Sequence, residues 1–125
     1  MQFDDKVPIY YQIKQYIYKE IIIEHLNPGD KLPAVRQLAV DLTVNVNTIQ
    51  RALSELVEEG VLITQRGKGN FVTTDMEKLV SLKQHVVEEQ IEVMYDHLTE
   101  LQVTPDEVLE YLTAYMKQRK EQDNG

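Results

Sequence analysis

Glycine is distributed unevenly along this chain of 125 residues, and its distribution limits how the chain can fold. Four of the five glycines lie between residues 29 and 69, and the fifth is the last residue. Because glycine favours turns and helix ends and weakens helix interiors, residues 1–75 are predicted to consist of several short elements. Residues 76–125 have no internal glycine and are predicted to be helical. We therefore expect two parts, 1–75 and 76–125.

The first element is predicted to be a long helix. Isoleucine recurs at every fourth position from Ile9 to Ile21, which indicates one apolar stripe. The segment is also rich in tyrosine and apolar at most odd positions, so its periodicity alone leaves a strand open. Its length favours a helix. Pro8 and the Asn-Pro-Gly turn at 27–29 bracket 18 residues, whereas a typical strand has about 5 to 6 residues.

Two short helices are predicted to follow. Residues 28–30 have turn chemistry, and Pro33 suits the first turn of a helix. The second short helix is predicted to end at Gly60. The apolar positions are Val35, Leu38, Ala39 and Leu42 in the first short helix, and Ile49, Leu53, Leu56 and Val57 in the second.

A β-hairpin is predicted after the second short helix. The strand-like segments 61–65 and 70–74 flank a basic, glycine-rich tip at residues 66–69. The order of long helix, short helix, turn, short helix and hairpin is that of a winged helix-turn-helix. The helix after the turn can enter a DNA major groove about 12 Å wide, and the hairpin, or wing, can touch the flanking backbone or the minor groove.

Polar side chains are concentrated at the start of the second short helix, before its buried stripe begins. They are Asn45, Asn47, Thr48, Gln50 and Arg51. Amides can pair with adenine, arginine with guanine or phosphate, and threonine with phosphate or a thymine methyl group. Since asparagine is also a common helix cap, we expect one of the two asparagines to cap the helix and the other to reach DNA.

Residues 76–125 are predicted to form two helices that pair with a second subunit. The last helix has a strong start signal at residues 104–107, with an N-cap threonine, a proline at N1 and a glutamate at N3, and residues 117–125 are expected to fray. The apolar stripes exceed what one short helical hairpin would bury. The predicted dimerisation residues are Leu79, Leu82, Val86, Val93, Met94, Leu98, Leu101, Leu112, Tyr115 and Met116.

Other chemistries have little support in the sequence. The chain has no cysteine, its three histidines are scattered, and the acidic run at 88–96 is expected to be a solvated helix face. The wing tip lacks the spacing of a nucleotide-binding loop. We therefore expect no catalysis, no metal and no cofactor. With no run of about 18 apolar residues and no signal-peptide pattern, the chain is expected to be cytoplasmic and not bound to a membrane.

The net charge of −8 argues at first sight against a nucleic-acid partner. Residues 1–75 have eight basic and ten acidic side chains, a net charge of −2, whereas residues 76–125 have a net charge of −6. The cations predicted to lie near the groove and wing surfaces are Lys31, Arg36, Arg51, Arg66 and Lys68. The charge therefore predicts weak non-specific affinity without excluding DNA.

Four segments, PIYYQI, PGDKLPAVRQLA, VNVNTIQRALSEL and EEGVLITQRGKGNFV, resemble the GntR family of bacterial transcription regulators over residues 8–73. The resemblance implies a DNA-binding winged helix, a homodimer, a palindromic double-stranded operator and control by a small-molecule effector. The family's usual DNA contacts fall on Arg36, on the segment 45–51 including Val46, and on Arg66, Gly67, Lys68 and Gly69. Many members have arginine at the positions of Val46 and Gln50, so their guanine contacts are not carried over.

The asparagine-rich VNVNTIQRAL segment and the short C-terminal part resemble the YtrA-like subgroup. The larger effector-binding domains of other branches do not fit in 50 residues. A dimeric repressor is the function that this resemblance implies. Two alternatives stay open: a winged-helix protein-interaction module without DNA binding, which the net negative charge would suit, and a metal-dependent enzyme that uses the acidic C-terminal helix.

Overall fold

The computed structural model describes residues 3–124, which form five helices and one antiparallel β-hairpin. The elements are α1 (Ile9–Ile22), α2 (Val35–Leu42), α3 (Val46–Glu58), β1 (Leu62–Gln65), β2 (Gly69–Val72), α4 (Met76–Glu100) and α5 (Pro105–Asn124). The predicted class, mainly helical with a hairpin wing, is confirmed. The chain divides into a first unit that ends at His85 and a second unit that begins at Val86, within α4.

The hydrophobic core of the first unit forms where α1, α2 and β1 pack against α3. The fully buried large side chains are Ile13, Ile17, Ile49, Leu56, Leu62 and Val72. The isoleucines of α1 follow the fourfold spacing seen in the sequence, which confirms the helix over the strand. Burial of one face of α3 on three elements holds this helix firmly and leaves its other face to solvent.

The first helix is shorter than predicted. It ends at Ile22 and does not reach the turn at residues 27–29. Glu24 adopts a left-handed backbone conformation with φ of 65°. The N–H groups of Glu24 and His25 donate to the carbonyls of Ile21 and Glu20 at 3.1 and 2.9 Å, a Schellman ending. The sequence does not signal this end, because the left-handed position is usually glycine.

The predicted turn at 28–30 is present, with the N–H of Asp30 donating to the Asn27 carbonyl at 2.9 Å, and residues 29–32 then pair with the hairpin. The N–H groups of Gly29 and Leu32 each donate at 2.9 Å, to the carbonyls of Val72 and Asn70 respectively. The hairpin therefore has a third extended segment along β2. The β1–β2 register pairs Leu62 with Val72, as two strands joined by a short tip require.

Pro33 lies outside the second helix, so its predicted place in the first turn is wrong. Ala34, the N-cap residue, is still extended, with φ of −60° and ψ of 152°, and the helix begins at Val35. The chain stays extended here because Leu32 is still paired with the hairpin.

The last helix begins at Pro105, as predicted. The N–H of Thr104 donates to Glu107 Oε1 at 3.1 Å, and the N–H of Glu107 donates to Thr104 Oγ1 at 3.3 Å, a complete capping box. The predicted fraying from residue 117 is wrong, because α5 continues to Asn124. Residues 117–123 are mostly strong helix formers, and the Arg119 side chain lies 3.5 Å from the carboxylate of Asp123 one turn later.

Within the described part of the chain, residues 3–124, no helix is long and apolar enough to cross a membrane. Over the same range, no three histidine or carboxylate side chains are grouped closely enough to hold a metal ion.

Candidate nucleic-acid interface

The start of α3 is fixed by Asn45. Its side-chain Oδ1 accepts a hydrogen bond from the N–H of Asn47 at 2.7 Å, while its backbone is extended with φ of −61° and ψ of 140°. This confirms that one of the two asparagines caps the helix. The side chain of Asn47 is exposed, so it is the one available for a partner.

The exposed face of α3 is polar and lies opposite the buried stripe. Val46, Asn47, Gln50 and Arg51 are exposed, and Thr48 is half-buried. Because Ile49 is fully buried, the exposed side chains stand on a helix that cannot easily rotate. This face has the width and the hydrogen-bonding groups that a DNA major groove accepts.

Arg51 has a supporting contact that the sequence did not predict. Its guanidinium lies 3.7 Å from the ring centroid of Tyr10 in α1. Its Nε lies 3.5 Å from Glu55 Oε2, one turn further along α3. An arginine stacked on an aromatic ring keeps the N–H groups along its edge available. The sequence does not indicate this role for Tyr10, because its partner Arg51 lies 41 positions away along the chain.

Beneath Arg51, a charged network joins α1 to α3. Lys14 Nζ lies 3.1 Å from Glu55 Oε1 and 2.6 Å from Glu59 Oε2, and the Tyr18 hydroxyl donates to Glu59. Burial acts to lower the pKa of Lys14, but hydrogen bonds to Glu59 and Glu55 outweigh it and raise the pKa above its ordinary value. The network fixes α3 against α1 through ionic bonds as well as apolar packing.

The turn between α2 and α3 is tight. Thr43 adopts φ of 56°, its N–H donates to the Val40 carbonyl at 3.3 Å, and the N–H of Val44 donates to the Ala39 carbonyl at 2.9 Å. This is a second Schellman ending. Arg36, the second residue of α2, is exposed, as a predicted DNA contact requires.

The wing tip is a tight turn that exposes two cations. The N–H of Lys68 donates to the Gln65 carbonyl at 2.9 Å, and Gly67 between them has φ of 76°. A side chain at Gly67 would meet no atom within 4 Å, so this position needs glycine for its backbone conformation and not for space. Arg66 and Lys68 are both exposed.

Two adjoining grooves run from α3 to the wing. One of about 250 Å³ is lined by Gln50 and Ser54 of α3 and by Thr64 and Asn70 of the hairpin. The other, of about 520 Å³, lies between residues 31–35 and the wing and is lined by Arg66, Gly67, Lys68 and Gly69. The two grooves share Val35, Thr64 and Asn70. The structure thus brings the predicted wing residues and Gln50 to one continuous surface.

The residues predicted for dimerisation differ in exposure. Val93, Leu101, Tyr115 and Met116 are 54 to 72% exposed. Leu79, Val86, Met94, Leu98 and Leu112 are half-buried. Leu82 is buried within the first unit of the chain. The second unit also exposes large apolar or aromatic side chains outside the predicted set, among them Val87, Ile91, Tyr95, Leu109 and Tyr111.

A helix that is buried on one side, polar on the other and flanked by a basic hairpin tip defines a winged helix-turn-helix protein of the DNA-binding class. Residues 9–72 match the family model described as bacterial regulatory proteins, gntR family. The chain belongs to the GntR family of transcriptional regulators, whose members are regulators and not enzymes.

Similar proteins agree with this assignment. The chain is 39% identical to the HTH-type transcriptional regulator YhcF of Bacillus subtilis over 114 residues, which cover 91% of this chain and 94% of YhcF. It is 39% identical to the HTH-type transcriptional repressor YtrA of the same organism over 85 residues, 67% of this chain and 65% of YtrA. The predicted resemblance to the GntR family and to YtrA is confirmed.

Solved structures give the same result for the fold. A GntR family transcriptional regulator from Listeria monocytogenes matches with a TM-score of 0.83 and 36% identity, over 90% of this chain and 98% of that chain. The AraR DBD in complex with operator ORR3 matches with a TM-score of 0.53 and 30% identity, over 58% of this chain and 88% of that chain.

Proposed function

We propose that the chain is a homodimeric repressor that binds a palindromic operator and releases it when a small effector binds. The observation that carries this proposal is the exposed polar start of α3 beside a basic wing. The sign of regulation follows the similarity to YtrA, which is named a repressor.

We assign recognition of the DNA base sequence to three side chains of α3. The amides of Asn47 and Gln50 can each pair with an adenine through two hydrogen bonds, and Arg51 can pair with guanine or hold a phosphate. All three are exposed. A good bidentate pair contributes about 1 to 3 kcal/mol of discrimination against a wrong base. Arg36, Asn45, Val46, Thr48 and the wing are assigned to contacts that position α3 on the duplex.

Two subunits are needed because one recognition helix reads few base pairs. A two-fold dimer presents two helices to half-sites about one helical turn apart, or a multiple of it, and so doubles the contacts. The exposed apolar side chains of the second unit support this arrangement. Val93 and Leu101 of the α4 region and Tyr115 and Met116 of α5 are the proposed centre of the interface.

The effector is proposed to act on the second unit of the dimer. The dimer is proposed to have two arrangements of its subunits that differ in the separation of the two α3 helices, and only one of them fits the operator. A compound that binds the other arrangement more tightly lowers operator affinity, and the size of this decrease is limited by the ratio of the compound's affinities for the two arrangements. A ligand that lowers operator affinity should therefore bind the dimer less tightly when operator is present. Equal ligand affinity with and without operator would contradict this mechanism.

Binding to duplex DNA at two salt concentrations tests the proposal. We expect weak binding to random duplex that falls steeply with salt, and much tighter binding to a symmetric site from the protein's own upstream region. Arg51→Ala should weaken binding to the symmetric site about 5- to 150-fold, which corresponds to about 1 to 3 kcal/mol. Lys19→Ala, an exposed lysine at the far end of α1, is the control. Absence of binding to any duplex at low salt would contradict DNA recognition and favour a protein-interaction module.

A further inference from the structure

We propose that Lys31, whose side chain packs against Gly69 of the wing, holds a backbone phosphate of the bound DNA. This inference rests on the proposed function and adds to it a phosphate contact outside the two helices and the hairpin tip. Lys31 belongs to the extended segment before α2, and its backbone is bridged to Phe71 of β2.

The end of the Lys31 side chain lies beside Gly69. A Cβ added at Gly69 would lie 3.1 Å from Lys31 Cε, closer than carbon atoms normally pack. Gly69 also has φ of 121°, which a residue with a side chain rarely adopts. The end of the Lys31 side chain therefore packs against Gly69, and a side chain at position 69 would require it to shift by a few tenths of an ångström.

The groove beside this contact is strongly cationic. Lys31, Arg66 and Lys68 line it, and no carboxylate belongs to its lining. Of the ion pairs among the described residues, none involves Lys31, so its ammonium is not neutralised. Three cations around one groove, in a chain with a net charge of −8, favour a polyanion as the occupant.

Backbone phosphate fits this groove better than a base edge does. A lysine ammonium is a compact point charge without the fixed fork that arginine uses to recognise a base. The groove also continues into the one lined by Gln50 and Ser54. A DNA strand whose bases meet the start of α3 can therefore pass its backbone along the shared residues Thr64 and Asn70 toward Lys31.

The salt dependence of binding tests the contact in the full-length protein. A residue that neutralises one phosphate contributes about 0.9 to the slope of log affinity against log salt. We expect Lys31→Gln to reduce that slope by about 0.9, so that between 50 and 200 mM salt the variant loses about 3.5-fold less affinity than the original chain. The change should be equal on the symmetric site and on random duplex, since phosphate carries no sequence information.

Lys78→Gln is the matched control, because the Lys78 side chain also lies along a glycine, Gly60, but outside this groove. An unchanged slope in Lys31→Gln, together with a reduced slope in Arg66→Gln, would overturn the inference and leave the proposed function standing. No DNA binding by the unaltered chain would instead mean that the proposed function itself has failed.

The role of Gly69 is tested by combining two substitutions. If Gly69→Ala acts by displacing Lys31, it should reduce the slope as Lys31→Gln does, and the double variant should show no further reduction. Circular dichroism should confirm that the variants are folded. If folded Gly69→Ala keeps the salt slope of the original chain, or if the reductions in slope from the two substitutions add up in the double variant, this part of the inference is overturned.

Discussion

The guanidinium of Arg51 lies 3.7 Å from the centroid of the Tyr10 ring, so a residue of α1 supports a side chain that we propose contacts DNA. The stack restricts the rotamers of Arg51, whose side chain is otherwise 62% exposed. A long side chain that is ordered before binding loses less conformational entropy when it meets its partner. Tyr10 is therefore a positioning residue for the recognition helix.

Replacement of Tyr10 should weaken operator binding through Arg51. Tyr10→Leu should cost about 0.5 to 1 kcal/mol of binding free energy, the range of an exposed cation–π contact, whereas Tyr10→Phe should bind almost as the original chain does. Fluorescence anisotropy with labelled operator measures both. In an Arg51→Ala background Tyr10→Leu should have no further effect, and a full additional loss there would contradict the positioning role.

The lysine network should contribute to stability. Lys14 is buried against two glutamates that are about one-third exposed, so Lys14→Ala should lower the free energy of unfolding by about 1 to 3 kcal/mol, less than for a fully buried pair. Lys19→Ala on the exposed side of α1 should change it by less than about 0.5 kcal/mol. Chemical denaturation measures the two values, and equal values would contradict the network's role.

The same network gives a pH dependence. Because the pKa of Lys14 is raised in the folded state, its contribution is complete below the ordinary lysine value of 10.5 and is lost as pH rises through the higher folded value. The difference in unfolding free energy between the original chain and Lys14→Ala should therefore be constant at neutral pH and shrink above pH 10.5. A difference that grows with pH would contradict this assignment.

Glycine at position 43, in the turn between α2 and α3, should stabilise the folded chain. Thr43 is β-branched and adopts φ of 56°, which is unfavourable for a residue of this kind. Thr43→Gly should raise the free energy of unfolding by up to about 1 kcal/mol, because relief of strain exceeds the extra entropy of the unfolded chain. Thr48→Gly, in the first turn of α3, where the backbone is helical, should lower it. Thermal unfolding distinguishes the two, and destabilisation by Thr43→Gly would refute the strain.

The capping box should be visible in the titration of Glu107. Hydrogen bonds from the backbone N–H and the side chain of Thr104 lower the pKa of this carboxyl. Its stabilising effect is present above the ordinary glutamate value and is lost as pH falls through the lower folded value. Thr104→Ala should move the NMR titration midpoint of Glu107 upward and reduce helicity at neutral pH. An unmoved midpoint would contradict a contribution from the Thr104 side chain and leave the backbone N–H of residue 104 as the cause of the lowered pKa.

Dimer formation should depend on the exposed apolar residues of the second unit. Val93→Asp and Met116→Asp each place a charge where we propose a subunit contact, so sedimentation should detect more monomer at equal concentration. Thr113→Asp, exposed and polar on α5, is the control. If both apolar substitutions leave the dimer intact, the interface lies on another surface.

Helix ends show where sequence patterns are and are not informative. The left-handed residue that ends α3 is Gly60, and the sequence identified this end correctly. The left-handed residues after α1, α2 and α4 are Glu24, Thr43 and Gln102. None is a glycine, although each makes the local backbone hydrogen bonds of a helix ending. The end of α1 was therefore placed four residues too late.

The site was predictable as a face but not as a set of contacts. Periodicity identified Asn47, Gln50 and Arg51 as exposed, because spacing along a helix determines which side a residue occupies. It could not identify Tyr10 as the partner of Arg51, or Gly69 as the neighbour of the Lys31 side chain, because these pairs are distant in sequence and meet only in the folded chain.

Footprinting on the DNA upstream of the protein's own gene tests the central claim most directly. The proposed function predicts two protected half-sites related by two-fold symmetry, with centres about one helical turn or a multiple of it apart. Protection should be lost in Arg51→Ala at concentrations where the original chain gives full protection. Protection of a single asymmetric site, or none at low salt, would contradict a dimeric repressor that reads DNA with α3.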